Sequence, residues 1–528
     1  MRIGLIVLNA LLLTSAAPLM AQKPARAAVA GDKCQALVGQ SFGDKVRITA
    51  ATHVAAAAPG TVAAQFGPPI PSGFPAYCRV EGMINARTGA GGKSYGIGFA
   101  LALPDEWSGR FLLQGGGGLN GSVHPPLGAV AAGSRPALAR GFAVLSHDSG
   151  HKGAVFEASF MVDQRAALDF AESSVRTVTE VGKAITVAYY QKSIAHSYMA
   201  GCSTGGRESM LASQRYPELF DGIIVGAPAM RTGFSNLGIA YAATQFNQAA
   251  PRDADGKPIV ANIFSASDRQ LILKGMLDQC DAADGLKDGM IMNVAQCHFQ
   301  PAKLECATGK IEGCLSKAQV DAMDRAFAGP KDKAGYPLYA SVPYDTGIVV
   351  TGGGIPGYLP TGGPGIFGPA NRDLTIDLDA RAEEIRADAS QRLTDTNVWT
   401  NLNTFLGRGG KILFFHGVSD PWFSAFATLD YWHRAEKANA AVWADTSRFY
   451  MAPGMGHCGG GANTFDSFDL LTPLVSWVEQ GQAPATIIAS RSRPTPAQRP
   501  MCPYPAYPHY VGGDVDKAGS FECRKPVG

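Results

Sequence analysis

Ser197-Tyr198-Met199-Ala200-Gly201-Cys202-Ser203-Thr204-Gly205-Gly206-Arg207-Glu208 is the stretch on which the fold turns. Its centre fits G-x-S-x-G, the tight strand-to-helix turn that lifts a nucleophilic serine to the top of an α/β-hydrolase sheet. The motif needs a strand before it and a helix behind it. Ser197–Ala200 reads as the end of a strand and 207–214 as a helix, so the context is right. A serine nucleophile also needs an imidazole within reach to take its proton. Of the ten histidines, His457 is best placed, in the glycine-rich loop Gly454-Met455-Gly456-His457-Cys458 after the last strand. If Ser203 and His457 meet, their neighbours Cys202 and Cys458 meet as well. A disulfide asks only that two Cα atoms come within about 4.4–6.8 Å. A catalytic signal and a covalent one predict the same contact.

Working outward, 95–104, 110–114, 142–147, 222–228, 411–415 and 447–451 read as strands, and 163–191 as a helix with Gly182 its one breaker. Strands alternating with helices predict a mainly parallel sheet covered on both faces. The fold class is α/β: an α/β-hydrolase core with a large inserted lid domain. The insertion is read at 229–398, where the rhythm changes, cysteines cluster and 352–369 is rich in glycine and proline; long irregular stretches of this kind usually serve as lids. The expected organisation is a signal peptide at 1–27, a catalytic domain split between 28–228 and 399–528, and the lid between them.

The leader is Met1-Arg2 followed by a short apolar run to Leu13 and small residues at Ala16, Ala17 and Ala21. That is the pattern of a cleaved export signal, and it is shorter than the ~20 apolar residues of a membrane span. The expected location is secreted or periplasmic. An oxidising compartment makes the ten cysteines an expected five disulfides. Sequence alone does not fix the connectivity, but proximity favours Cys280 with Cys297, Cys306 with Cys314 and Cys502 with Cys523, and the catalytic contact favours Cys202 with Cys458, which leaves Cys34 with Cys78. No C-x-x-C spacing supports a zinc site. Lys plus Arg number 46 against 44 acidic residues, a net charge of +2, with no basic stripe. Nucleic acid is therefore not an expected partner, nor is a membrane.

In this fold the acid follows the nucleophile and precedes the histidine. Asp420, in His416-Gly417-Val418-Ser419-Asp420-Pro421, follows the 411–415 strand, at the carboxyl end where such sheets place their chemistry. It would fix the tautomer of His457, which would act as general base and then acid. His416 precedes Asp420 and breaks that order, so it reads as a pocket or supporting residue. Trp422 and Phe423 are candidate aromatic walls for substrate. One oxyanion donor is the Thr204 N–H, and the other a glycine of the Gly115–Gly118 run, which spacing does not single out. Asp281, Asp284 and Asp288 lie among turn glycines and could converge on one hard cation, although the spacing is not that of an EF-hand.

Across nearly the whole mature chain these motifs resemble the tannase/feruloyl esterase family of secreted serine esterases. The likeness is strongest at 201–208, 280–289, 416–420, 453–458 and Cys502-Pro503-Tyr504-Pro505. The resemblance implies a Ser203–Asp420–His457 triad and a disulfide between Cys202 and Cys458. It implies an oxyanion donor at Gly118, and a structural Ca2+ in the lid held by Asp281, Asp284, Asp288 and the carbonyls of Leu286 and Met290. It implies cleavage of small esters of aromatic acids, free or carried on plant polysaccharide or polyester fragments. Feruloyl esters come first in that expectation, with galloyl esters or terephthalate monoesters as alternatives. A serine peptidase or a non-catalytic binding protein on the same scaffold would be the rival classes. In the lid, Arg372 is the one arginine near 352–373 that could meet a substrate carboxylate.

Overall fold

The computed structural model describes residues 30–64, 68–349, 358–361, 371–461 and 463–526. The signal peptide expectation lies outside them. The central sheet has nine strands: β1 (Val46–Val54), β2 (Tyr77–Thr88), β3 (Ser94–Pro104), β4 (Arg110–Gln114), β5 (Ala143–His147), β6 (His196–Cys202), β7 (Gly222–Gly226), β8 (Lys411–Gly417) and β9 (Ser447–Ala452). Their order is β1-β2-β3-β5-β4-β6-β7-β8-β9. The first three strands and the β3–β5 pair are antiparallel, and from β5 through β9 every pair is parallel.

Successive side chains of a strand point to opposite faces, and the apolar residues divide accordingly. Phe111, Leu113, Met199, Ile223, Val225, Ile412 and Phe414 join one buried cluster. Leu112, Val144, Tyr198, Ile224, Leu413 and Phe415 join another. Both faces are dry, which is why these strands read as continuous apolar runs. The helix expected at 163–191 forms as Gln164–Leu168 and Ser174–Tyr190 joined by a π-turn, Asp169–Ser173. The buried guanidinium of Arg207 donates to the carbonyls of Phe170 and Ala171 inside that turn, at 2.9 and 2.8 Å.

Between β7 and β8 the chain contributes no strand to the sheet among the described residues. It builds helices, including Thr232–Ala249, Ala266–Cys280 and Lys317–Ala328, around a cluster of its own with Phe246, Phe264, Met276, Met323 and Phe327. The ends of the insertion, Phe234, Leu237 and Ala382, pack into the sheet's cluster instead. All ten cysteines are paired as expected: Cys34–Cys78, Cys202–Cys458, Cys280–Cys297, Cys306–Cys314 and Cys502–Cys523. No described helix is long and apolar enough to cross a membrane.

Candidate active site

Because β4, β6, β8 and β9 run parallel, the loops that leave their carboxyl ends gather on one edge of the sheet. Gly115–Gly118 leaves β4, Ser203 leaves β6, Asp420 leaves β8 and His457 leaves β9. Residues hundreds of positions apart are delivered to one place in this way.

Ser203 has φ +64° and ψ −124°, a conformation that L-residues avoid and that costs on the order of 1–3 kcal/mol. This is the sharp elbow that the motif requires. Gly201 permits it, since a Cβ there would stand 2.2 Å from the Gly205 carbonyl oxygen. Helix Thr204–Arg215 starts directly behind the serine. The disulfide between Cys202 and Cys458 brings their Cα atoms to 6.0 Å across 256 residues. The turn carrying Ser203 and the loop carrying His457 are thereby clasped together.

His457 Nδ1 donates to Asp420 Oδ2 at 2.6 Å. The Nδ1 proton leaves Nε2 with its lone pair, and Nε2 is buried with no hydrogen-bond partner. No hydrogen bond joins it to Ser203 among the described residues; such contacts are often long before substrate binds. Asp420 Oδ1 accepts from the backbone N–H groups of Trp422 and Phe423, at 2.9 and 3.1 Å. Burial by itself would raise the Asp420 carboxyl, but His457 and His416 beside it hold it well below the usual carboxylate range.

His416, expected as a pocket or supporting residue, is fully buried behind Asp420. Its Nε2 lies 2.9 Å from the Phe423 carbonyl, an acceptor only, so Nε2 carries the proton and also faces Asp420 Oδ2 at 3.2 Å. Its Nδ1 then accepts from Thr428. It supports the acid from the rear. Trp422 and Phe423 stand against the His457 ring, with centroids 4.6 and 5.3 Å away. Phe156 adds a third aromatic, edge-on to Trp422 at 6.4 Å, that the sequence reading did not name.

The oxyanion loop is held at both ends. Gly116 donates its N–H to Glu208 Oε2 at 2.9 Å and accepts from the Gly205 N–H at 3.0 Å. The Gly118 carbonyl accepts from the Thr204 hydroxyl. Gly118 has φ +57°, and a Cβ there would strike the Val155 carbonyl, so the position requires glycine. The N–H groups of Gly117 and Gly118 take no partner among the described residues. Glu208 was not singled out from sequence. It is wholly buried, receives Asn120 Nδ2 at 2.9 Å, and lies 3.7 Å from His147 Nε2. Burial would raise its carboxyl, yet His147 foremost, with Arg207 and the Gly116 N–H, keeps it below its ordinary value. A carboxylate in a helix otherwise buried is the signal that could have found it.

Asp281, Asp284 and Asp288 lie together in the insertion, on and just after the turn Asp281–Asp284. Burial pushes the Asp284 carboxyl up to about 7, and the charges of Asp288 and Asp281 add to the effect. Asp288 Oδ2 pairs with Arg499 at 2.7 Å, while its Oδ1 is buried without a partner. Both Asp281 oxygens accept backbone N–H groups, from Asp288 and Gly289. Among the described residues no group of three or more His, Cys, Asp or Glu side chains is arranged to hold a metal ion on its own. The Arg372 guanidinium is engaged by Asp253 at 2.7 Å and by the Pro258 carbonyl, so it is not poised over the site. A cavity of about 50 Å³ between 292–295, 451–453 and 499–508 includes none of the site residues.

Residues 78–358 and 365–524 match the family described as tannase and feruloyl esterase. The chain belongs to that family. It is 36% identical to the mono(2-hydroxyethyl) terephthalate hydrolase of Piscinibacter sakaiensis, over 93% of this chain and 92% of the relative. It is 30% identical to a probable feruloyl esterase of Arthroderma benhamiae, over 81% and 82% of the two chains. The crystal structure of feruloyl esterase B from Aspergillus oryzae superposes with a TM-score of 0.74 at 25% identity, covering 94% of this chain and all of that one. The tannin acyl hydrolase of Aspergillus niger shares the fold at a TM-score of 0.68 and 21% identity. The esterase expected from the motifs is thus the class to which this family member belongs.

Proposed function

We propose that the chain cleaves small esters of aromatic carboxylic acids through Ser203, His457 and Asp420. The observation that carries this reading is the buried, partnerless Nε2 of His457. It is oriented by Asp420 and clasped by a disulfide to the serine elbow. His457 Nε2 takes the Ser203 proton as Oγ attacks the ester carbonyl. The oxyanion that forms is received by the backbone N–H of Thr204 and by those of the Gly117–Gly118 turn, including the expected Gly118. Collapse expels the alcohol, which takes the proton back from His457 and leaves the acid esterified to Ser203. Water, deprotonated by the same nitrogen, then releases the acid. Trp422, Phe423 and Phe156 supply the aromatic wall.

Terephthalate monoesters move ahead of feruloyl esters in this proposal, because the terephthalate hydrolase is the more similar of the two relatives. The engagement of Arg372 by Asp253 keeps the feruloyl reading alive, since a ferulate carries no second carboxylate to be met. Turnover of terephthalate, ferulate and gallate esters by purified enzyme ranks them, and a matched amide separates a peptidase. Ser203→Ala should lose more than about 10³-fold in kcat while keeping its melting temperature. Retained turnover would refute the assignment.

A structural Ca2+ in the insertion is also proposed, held by Asp281, Asp284 and Asp288 with the carbonyls of Leu286 and Met290. The all-oxygen donor set, the partnerless Asp288 Oδ1 and the crowding of buried carboxylates suit a hard cation. The ion would neutralise that charge and brace the loop. Export is proposed on the same footing: five disulfides belong to an oxidising compartment.

A further inference from the structure

Asp345 comes from the insertion, yet it is wholly buried between two loops of the active site. Its Oδ2 accepts from the Ser419 hydroxyl at 2.5 Å and from the Gly454 N–H at 2.6 Å. Ser419 is the residue before Asp420, and Gly454 lies three residues before His457. The Ser419 hydroxyl oxygen in turn accepts from the Gly347 N–H at 2.9 Å, so the insertion grips this turn twice. Gly347 has no room to retreat, as a Cβ on it would stand 2.6 Å from Ser419 Oγ and 2.9 Å from the Gly454 carbonyl oxygen.

We propose that Asp345 is a positioning residue that holds the turn of Asp420 and the loop of His457 at contact distance. The proposal rests on the triad reading above. The two legs of the triad would then have separate braces. The disulfide ties the histidine loop to the serine elbow, and Asp345 ties the same loop to the acid turn. The hydrogen bond from His457 to Asp420 spans loops of two different strands, which the backbone joins where Val418 N–H donates to Ala452 and Ser419 N–H to Met455, at 3.0 and 2.9 Å. One carboxylate oxygen bonded to the Ser419 hydroxyl and the Gly454 N–H adds a side-chain tie between the same two loops. Because that oxygen belongs to the insertion, seating of the segment 345–347 tightens the register of the acid–base pair.

The test is a short variant series assayed with an aromatic ester. Asp345→Ala removes both contacts and should lower kcat about 10- to 100-fold, the scale of a displacement near 1 Å, with KM changed less than about 3-fold. Asp345→Asn keeps an oxygen where Oδ2 stood and should recover most of that loss. Ser419→Ala removes one arm and should fall between them, and adding it to Asp345→Ala should cost little more. The low-field proton resonance of the His457–Asp420 hydrogen bond should shift or broaden in Asp345→Ala, which a contribution to stability alone would not cause. A folded Asp345→Ala enzyme with kcat within 2-fold of the parent and an unmoved resonance overturns the proposal. If that variant does not fold, Ser419→Ala decides, and undiminished kcat there overturns it too. Ser203→Ala run alongside separates the failures: an active Ser203→Ala enzyme defeats the triad, and an inactive one beside a fully active Asp345→Ala defeats only the brace.

Discussion

Glu208 keeps a charge where no solvent reaches it, and the cost of doing so is offset by what it organises. Its two oxygens receive the Gly116 N–H and the Asn120 amide, and the His147 ring closes the far side. Because Ser149 donates to His147 Nδ1, the proton of that ring sits on Nε2, facing Glu208. A glutamine would keep one acceptor and present an amide NH2, itself a donor, to the other donor. Glu208→Gln should therefore loosen Gly116 and, through it, the N–H groups of Gly117 and Gly118. Losing a whole oxyanion donor costs about 10²–10³-fold in kcat, so a loosened one should cost about 10- to 100-fold with KM little changed. An aryl boronic acid, which borrows the oxyanion site when it bonds to Ser203, should lose affinity in step with kcat, whereas the free aromatic acid should not. Equal losses for both ligands would show Glu208 shaping the pocket at large and not this loop.

At the level of elements, the parallel strands deliver the loops but do not lock them, and the bond between Cys202 and Cys458 supplies a lock. Its closed loop of 256 residues would constrain the unfolded chain by at most roughly 5 kcal/mol in the chain-entropy picture. Its local effect matters more for turnover. Replacing both cysteines by alanine should cut kcat about 10-fold or more through displacement of His457, with the far-UV circular dichroism unchanged at 25 °C. Undiminished kcat in the double variant would show that the clasp does not hold the site. The elements themselves were unequally legible. Strands β3 to β9 emerged from apolar runs bounded by turns, within a residue or two for most. β2 was not read, although, alternating with half-buried Arg79, Glu81 and Met83, its inward residues include Cys78, Val80 and Ile84. Gly82 occupies the inward place between them, and the Phe99 ring from β3 fills that space, so the alternation is completed by another strand. In β1 the register shifts between Ile48 and Ala50, which breaks the period within one strand. Of the candidate site, motifs and chain order named Ser203, Asp420 and His457, the last two of which are hydrogen-bonded, and the five disulfide pairings. Asp345 could not, because its partners lie 74 and 109 residues away and no local pattern names them.

Over the whole molecule, the insertion has an apolar cluster of its own, and Tyr339, Ser341, Asp345 and Gly347 from it meet Ser419 and Ser424 in the loop after β8. Another of its contacts with the later chain passes through the acidic loop. Asp288 meets the buried Arg499, and Asn463 reaches the carbonyls of Asp288 and Gly289 at 3.4 Å. Arg499 pairs with Asp288, and Arg491 lies close by with Asp516 as a partner of its own, against three crowded carboxylates; the proposed Ca2+ would supply further positive charge. An ion bound only by the folded chain stabilises it by RT ln(1 + [L]/Kd), about 2.7 kcal/mol at 100-fold excess over Kd. Chelation should therefore lower the melting temperature by several degrees, and added Ca2+ should restore it where Mg2+ does not, given the looser and larger shell that Ca2+ accepts. Initial rates at 25 °C should hold, since the acidic loop includes no member of the triad. Asp288→Asn leaves the bond to Arg499 an oxygen but weakens the cage, so its melt should start lower and respond less to the ion. Superimposable melts with and without chelator would remove the ion from the structure, and Arg499 with the backbone N–H groups would then be what steadies these carboxylates.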